Sequence, residues 1–172
     1  LDIEYKNINI NFEDKDGVAA IVNKENEEMS KSLVYDETNE EANYNHLISA
    51  KFAKYEIIHY VDYITLVVNK YSFDYKTIIT TLGSDVYVFD KTSGKLYNND
   101  ELLSKFSINK DDINEKVKTY LNDKNLVSEE NKIDVEKTIS NNTKYNLYVD
   151  KLGRLVISIL VKAEKSDYND II

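Results

Sequence analysis

Catalysis and metal binding depend on ionisable side chains held at set spacings, and this 172-residue chain carries few such sets. His46 and His59 are its only histidines, thirteen positions apart and in neither HxxxH nor HxH spacing. His59 lies beside Tyr60 in a strand-like run, the usual place of a structural histidine. There is no cysteine, so thiol nucleophiles, disulfides and zinc fingers are excluded. Gly17, Gly83, Gly94 and Gly153 stand singly, and no glycine-rich loop can cradle a phosphate. Glu13-Asp14-Lys15-Asp16-Gly17 has the outline of a calcium loop. Placing Gly17 sixth, however, puts Phe12 first and Asn23 twelfth, where the ion needs carboxylates, so the run reads as a turn. Asp111-Asp112 is explained by the positive end of a helix dipole. None of the 31 acids has a spacing that marks a glycosidase pair. The expectation is a protein with no enzymatic activity, no metal and no cofactor.

Tyrosine is the residue in excess, at 14 with no tryptophan. It supplies large, rigid, amphipathic contact area at low entropic cost, and it also favours strands. Tyr55, Tyr60, Tyr63, Tyr71, Phe73 and Tyr75 crowd one stretch. The earlier members belong to sheet or core. Tyr71-Ser72-Phe73-Asp74-Tyr75 follows a strand end expected at Lys70, which makes Tyr71, Phe73, Asp74 and Tyr75 the candidate ligand-binding residues. The net charge of -9 repels nucleic acid phosphate and anionic lipid. It keeps the chain soluble, and it would speed the approach of a cationic partner.

Strands must position those aromatics. Ile3, Tyr5, Ile8 and Ile10 suggest an edge strand, broken by Glu13 to Gly17. Val18, Ile21, Val22, Met29 and Leu33 predict a helix from Val18 to Tyr35, followed by a polar loop from Asp36 to Asn45. Leu47 to Val61 reads as a strand with a phase shift near Lys54, of the kind a bulge produces. It neighbours a second strand opening at Asp62 in an antiparallel sheet. Tyr71 to Ile79 and Asp85 to Phe89 read as further strands separated by a turn at Gly83. Asp90 to Lys95 is a turn, and Leu102, Leu103 and Phe106 make a short helical stripe started by Asn98 and Asn99. Asn109 caps a helix that buries Ile113, Val117, Tyr120 and Leu121. Asn122 to Asn142 is polar and undefined, and Tyr145 to Val149 with Leu155 to Val161 close a hairpin.

Segregated strands and helices predict an α+β fold, a largely antiparallel β-sheet packed against a few helices. With no proline and no linker, residues 1–172 read as one domain. No apolar run is long enough to span a bilayer, and direct membrane contact by this segment is not expected. The chain begins at Leu1 without a signal pattern and reads as a piece of a longer protein that carries its anchor elsewhere.

Several motifs occur in a shared order: Lys54-Tyr55-Glu56-Ile57, Tyr63-Ile64-Thr65-Leu66-Val67-Val68, Tyr71-Ser72-Phe73, and Val86-Tyr87-Val88-Phe89-Asp90-Lys91-Thr92-Ser93-Gly94-Lys95-Leu96 before Leu102-Leu103. With the hairpin Tyr148 to Leu155, this order resembles the ectodomains of RsiV-type anti-sigma factors and the non-catalytic N-terminal region of the peptidoglycan deacetylase PdaC. The resemblance covers about Leu1 to Val161. It implies an extracytoplasmic ligand-binding domain, anchored at the surface of a Gram-positive bacterium. The ligand it implies is a cationic protein, lysozyme in the RsiV type, or, for an accessory domain of a wall enzyme or lipoprotein, cell-wall glycan. Two segments depart from the family pattern. Asp74-Tyr75-Lys76-Thr77 replaces a Gly-Gly-Ala-His signature, and Leu160 to Lys165 replaces a Pro-Tyr-Glu-Ile-Ala-Pro-Tyr-like segment. The resemblance therefore implies the fold more directly than the ligand.

Overall fold

The computed structural model describes residues 3, 5–11, 14–36, 46–76, 78–127, 130–142 and 145–172. Among them, four helices and two antiparallel sheets form the expected α+β fold. Helix α1 (Val18–Ser30) leads into β1 (Val34–Asp36), β2 (His46–Tyr60), β3 (Tyr63–Asp74), β4 (Ile78–Asp90) and β5 (Leu96–Tyr97). These strands pair in sequence order. Then come α2 (Asn99–Lys105), α3 (Lys110–Val127) and α4 (Val135–Asn141). A second sheet orders β6 (Asn146–Val149), β7 (Leu155–Val161) and β8 (Tyr168–Ile171).

The centre of the large sheet is β3, where Thr65, Leu66, Val67 and Val68 are all buried. Alternation sends Leu66 and Val68 toward Val18 and Val22 of α1. It sends Val67 to the opposite face, into the main core with α3 (Ile113, Val117, Leu121) and the second sheet (Val149, Ile157, Val161). Burial of such side chains stabilises by about 1.5–3 kcal/mol each. The helix starts are specified locally. Asp14 oxygens accept from Val18 N and Ala19 N at 2.9 and 2.8 Å. Asn98 and Glu101 form a capping box on α2. Asn109 Oδ1 accepts from Asp111 N at 3.2 Å ahead of the acidic first turn of α3.

Several expectations are corrected. The described residues of the opening segment form no strand: the Ile8 backbone bonds both ways with the Asn23 side chain, and Lys6 O accepts from Asn26 Nδ2, so α1 side chains replace a ladder. Helix α1 stops at Ser30, and Val34 and Tyr35 join β1 instead. The predicted loop beyond Asp36 lies outside the described residues. No bulge occurs near Lys54, because β2 and β3 pair without a break from Ser49 with Asp74 to Tyr60 with Tyr63. The apolar phase changes there because the covered face changes: Ala53 and Tyr55 pack toward α1, and Ile58 toward the main core.

The bulge lies in β4. Lys70 pairs with Gly83 and Tyr71 with Thr81, so Leu82 is the extra residue and Gly83 (φ 124°) is part of the irregularity, not a turn. Strand β3 does not end at Lys70 but runs to Asp74, and the predicted strand from Tyr71 to Ile79 is divided between β3 and β4 by a turn at Tyr75 and Lys76. The polar stretch after Asn122 is also ordered in large part, since α3 continues to Val127 and α4 occupies Val135–Asn141. Strand β8 follows the predicted closing hairpin and adds a third strand to its sheet.

Candidate functional site

At one end of the large sheet, β2, β3 and β4 run on past the second sheet. Asn69, Ser84 and Asn169 mark the limit: Asn169 Nδ2 donates to Ser84 Oγ at 2.8 Å, and Ser84 Oγ donates to Asn69 Oδ1 at 2.7 Å. Beyond that line, Phe52, Tyr71, Phe73 and Ile79 belong to neither core cluster.

Their arrangement follows from register. Ala50, Phe73 and Ile79 stand opposite one another in a row across three strands, and Phe52, Tyr71 and Thr81 form the next row on the same face. The Phe52 and Tyr71 rings stack at 5.3 Å and 24°. Lys54 Nζ stands 5.7 Å from the Tyr71 ring centre. Ile79 is exposed, and Tyr71 and Phe73 are half-buried. The face is therefore an aromatic shelf, open on one side.

Of the four sequence candidates, Tyr71 and Phe73 share this shelf. Asp74 does not. It follows Phe73 in the same strand and faces the other way, and its Oδ1 accepts from Lys76 N at 2.9 Å, which shapes the turn into β4. Tyr75 lies in that turn, 60% exposed, with its N–H donated to Ile48 O at 2.9 Å and Lys76 Nζ 5.3 Å over its ring. Two lysine amines thus already lie over ring faces of the group. Phe52 and Ile79 escaped the sequence reading, since only strand register brings them beside Tyr71 and Phe73.

A second concave region of about 680 Å³ lies between β4, β5, α2, the start of α3 and β6. Val86 and Leu147 contribute to its apolar lining, and Asn98, Asn99, Asn114 and Tyr145 line it with polar groups. Asn98 Oδ1 accepts from Glu101 N at 2.9 Å and Asn99 Nδ2 donates to Tyr145 O. The Asn98 amide nitrogen and the Asn99 amide oxygen have no partner among the described residues. Burial pushes the Tyr145 hydroxyl above its ordinary pKa.

Among the described residues no three His, Asp or Glu side chains are grouped to hold a metal ion. His59 is exposed in β2, and the His46 side chain lies outside the described residues. No helix of the described residues is long and apolar enough to cross a membrane. The chain matches no protein-family model, no curated protein and no solved structure.

Proposed function

We propose that the chain is a non-catalytic, extracytoplasmic binding domain of the RsiV-like type, which holds a basic protein such as lysozyme. The observation that carries this reading is the shared shelf of Tyr71 and Phe73, backed by Phe52 and Ile79. Half-buried aromatic side chains outside any core cluster give a ligand contact area with little rotamer entropy left to lose. The net charge of -9 supplies the long-range attraction. Lys54 and Lys76 occupy ring faces of Tyr71 and Tyr75, so a cationic ligand would meet Phe73, the tyrosine hydroxyls and the shelf edge.

Calorimetry with lysozyme at low and physiological salt tests the reading. Binding that weakens with salt and is lost in Phe73→Ala supports it. Absence of heat at both salts, with the domain folded, rejects it.

A second reading, an accessory domain that holds cell-wall glycan, is favoured by the amide and tyrosine lining of the concave region. Amide ends that have no partner among the described residues, beside an apolar floor, suit a sugar, which offers hydroxyls at its rim and C–H groups on its faces. This reading predicts binding of soluble peptidoglycan fragments that Asn99→Ala weakens and Phe73→Ala leaves unchanged.

A further inference from the structure

We propose that the outer edge of β2, which no strand among the described residues covers beyond Ser49, pairs with the same edge of a second copy, Tyr55 against Tyr55, joining two five-stranded sheets around a two-fold axis. Strand β1 covers β2 only from His46 to Ser49. Lys51 comes next, and its outward groups are taken: its N–H donates to Ser32 Oγ at 2.6 Å and its carbonyl accepts from Tyr5 OH at 2.7 Å. From Phe52 to Tyr60 no strand lies on that side among the described residues. The β2–β3 hairpin closes through the two residues Val61 and Asp62, with Tyr60 opposite Tyr63, and Val61 has φ 37°. In such a hairpin the closing pair is hydrogen-bonded, so Ile58, Glu56 and Lys54 bond to β3. Ala53, Tyr55, Ile57 and His59 then turn both backbone groups outward, in phase with Lys51.

An unpaired, unbulged edge without proline is a template for another strand. The side chains select which strand. Antiparallel pairing that satisfies the outward groups can shift only in steps that keep odd residues opposite odd ones. With Tyr55 opposite Tyr55, Lys54 meets Glu56 of the second copy and Glu56 meets its Lys54, while small Ala53 meets Ile57. One step in either direction sets Glu56 against Glu56, or Lys54 against Lys54. Only the Tyr55-centred register is electrostatically complementary, and it is complementary to itself, as a two-fold contact requires. Ile57 is 61% exposed although Ala53 and Tyr55 on the same face pack toward α1, and pairing would cover it. The N-terminal segment stays beside α1, tied to Asn23 and Asn26. Because Lys51 closes the ladder at each end, the contact comprises Ala53 to Ile57 of both copies, with about six backbone hydrogen bonds.

Sedimentation velocity of the whole 172-residue chain, from micromolar to millimolar concentration, tests the inference. A concentration-dependent dimer is expected. Glu56→Lys or Lys54→Glu alone should weaken it by about tenfold or more, since each turns two attractive cross-strand pairs repulsive. The double variant should restore it, and an equimolar mixture of the two single variants should form a heterodimer. Ile57→Pro should abolish the dimer with the circular dichroism spectrum unchanged, because that N–H faces outward. Lys54 also stands over Tyr71, so Glu56→Lys is the variant that separates this inference from ligand binding. A monomer at every concentration overturns the proposal, as does a dimer that ignores both charge reversals or a double variant that stays folded and monomeric.

Discussion

Tyr60 and Gly153 touch across two hairpins: a Cβ built on Gly153 would lie 2.2 Å from Tyr60 Cζ and 2.5 Å from its hydroxyl. Gly153 has φ 75°, and the turn around it is fixed by the Asp150 carboxylate, which accepts from Leu152 N and Arg154 N at 2.8 and 2.9 Å. The turn of the second sheet is thus shaped to receive a ring from the first. Gly153→Ala adds both backbone strain and a collision, and should cost about 2 kcal/mol or more. In thermal unfolding, Tyr60→Ala should reduce the penalty of Gly153→Ala, because the collision disappears with the ring. A melting temperature for Gly153→Ala equal to that of the parent would show that the ring moves aside freely and that the turn relaxes its backbone strain as well.

Asp90 sets the acid limit of the β4–β5 turn. Its carboxylate accepts from Ser93 N (2.8 Å), Tyr97 OH (2.7 Å), Ser93 Oγ (2.9 Å) and Thr92 N (3.0 Å). Those bonds, that from the Ser93 N–H first, hold its pKa down at about 2. A carboxyl depressed on folding stabilises above its unfolded pKa and loses that contribution as the pH falls through the folded value. The parent should therefore lose stability between about pH 4 and pH 2 through this group. Asp90→Asn should be less stable at neutral pH, and the gap should close across that window. Urea titrations at stepped pH measure it, and a gap that stays constant down to pH 2 counts against the assignment.

The parts of the fold legible in the sequence are those with local signals. Asn98 and Asn99 before the Leu102 stripe, Asn109 before two acids, and glycine closing the turns at Gly94 and Gly153 each place an element boundary from neighbouring residues alone. The parts misread depend on distant partners. Tyr71 to Ile79 looks like a new strand after a break at Lys70, yet Tyr71 to Asp74 continues β3, paired on both sides by β2 and β4, and the break falls at Tyr75 and Lys76. Gly83 looks like a turn because positive φ serves a bulge equally well. The end of α3 looks undefined because Asn122, Asp123 and Lys124 carry no apolar stripe, although Leu121 just before them is fully buried. Of the candidate site, the residue types were legible and the shared face was not, since register is a property of two strands.

Strand β8 is held to α3 by one polar cluster. Lys124 Nζ bonds to Asp170, Tyr120 OH donates to Asp170 Oδ2 at 2.9 Å, and the same amine stands 5.4 and 5.3 Å from the Tyr120 and Tyr168 ring centres. Partial burial works against the Lys124 charge, but its bonds to Asp170 and Tyr120 outweigh that and raise its pKa. Asp170→Asn should cost about 1 kcal/mol and release mainly β8. Amide exchange should accelerate in β8 and stay unchanged in β3. Uniform acceleration through both sheets would mean that the cluster supports the whole fold.

Phe73 and Asp74 are adjacent in sequence and oppositely placed, which separates shelf binding from a general effect of the segment. Phe73 lies in the row with Ala50 and Ile79, whereas Asp74 faces away and supports the turn through Lys76 N. If a ligand rests on the shelf, Phe73→Ala removes contact area and should weaken binding by about tenfold or more, the usual effect of truncating an aromatic anchor. Asp74→Asn keeps the size of the side chain and its acceptor oxygen. It removes one charge from the far face, and should change affinity by about twofold, mainly through the association rate. Ile79→Ala should resemble Phe73→Ala despite lying in another strand, because the two side chains share a row. Calorimetry of the three variants with the same ligand reads the pattern. Equal losses in Phe73→Ala and Asp74→Asn with none in Ile79→Ala would place the contact on the turn around Tyr75 instead of the shelf.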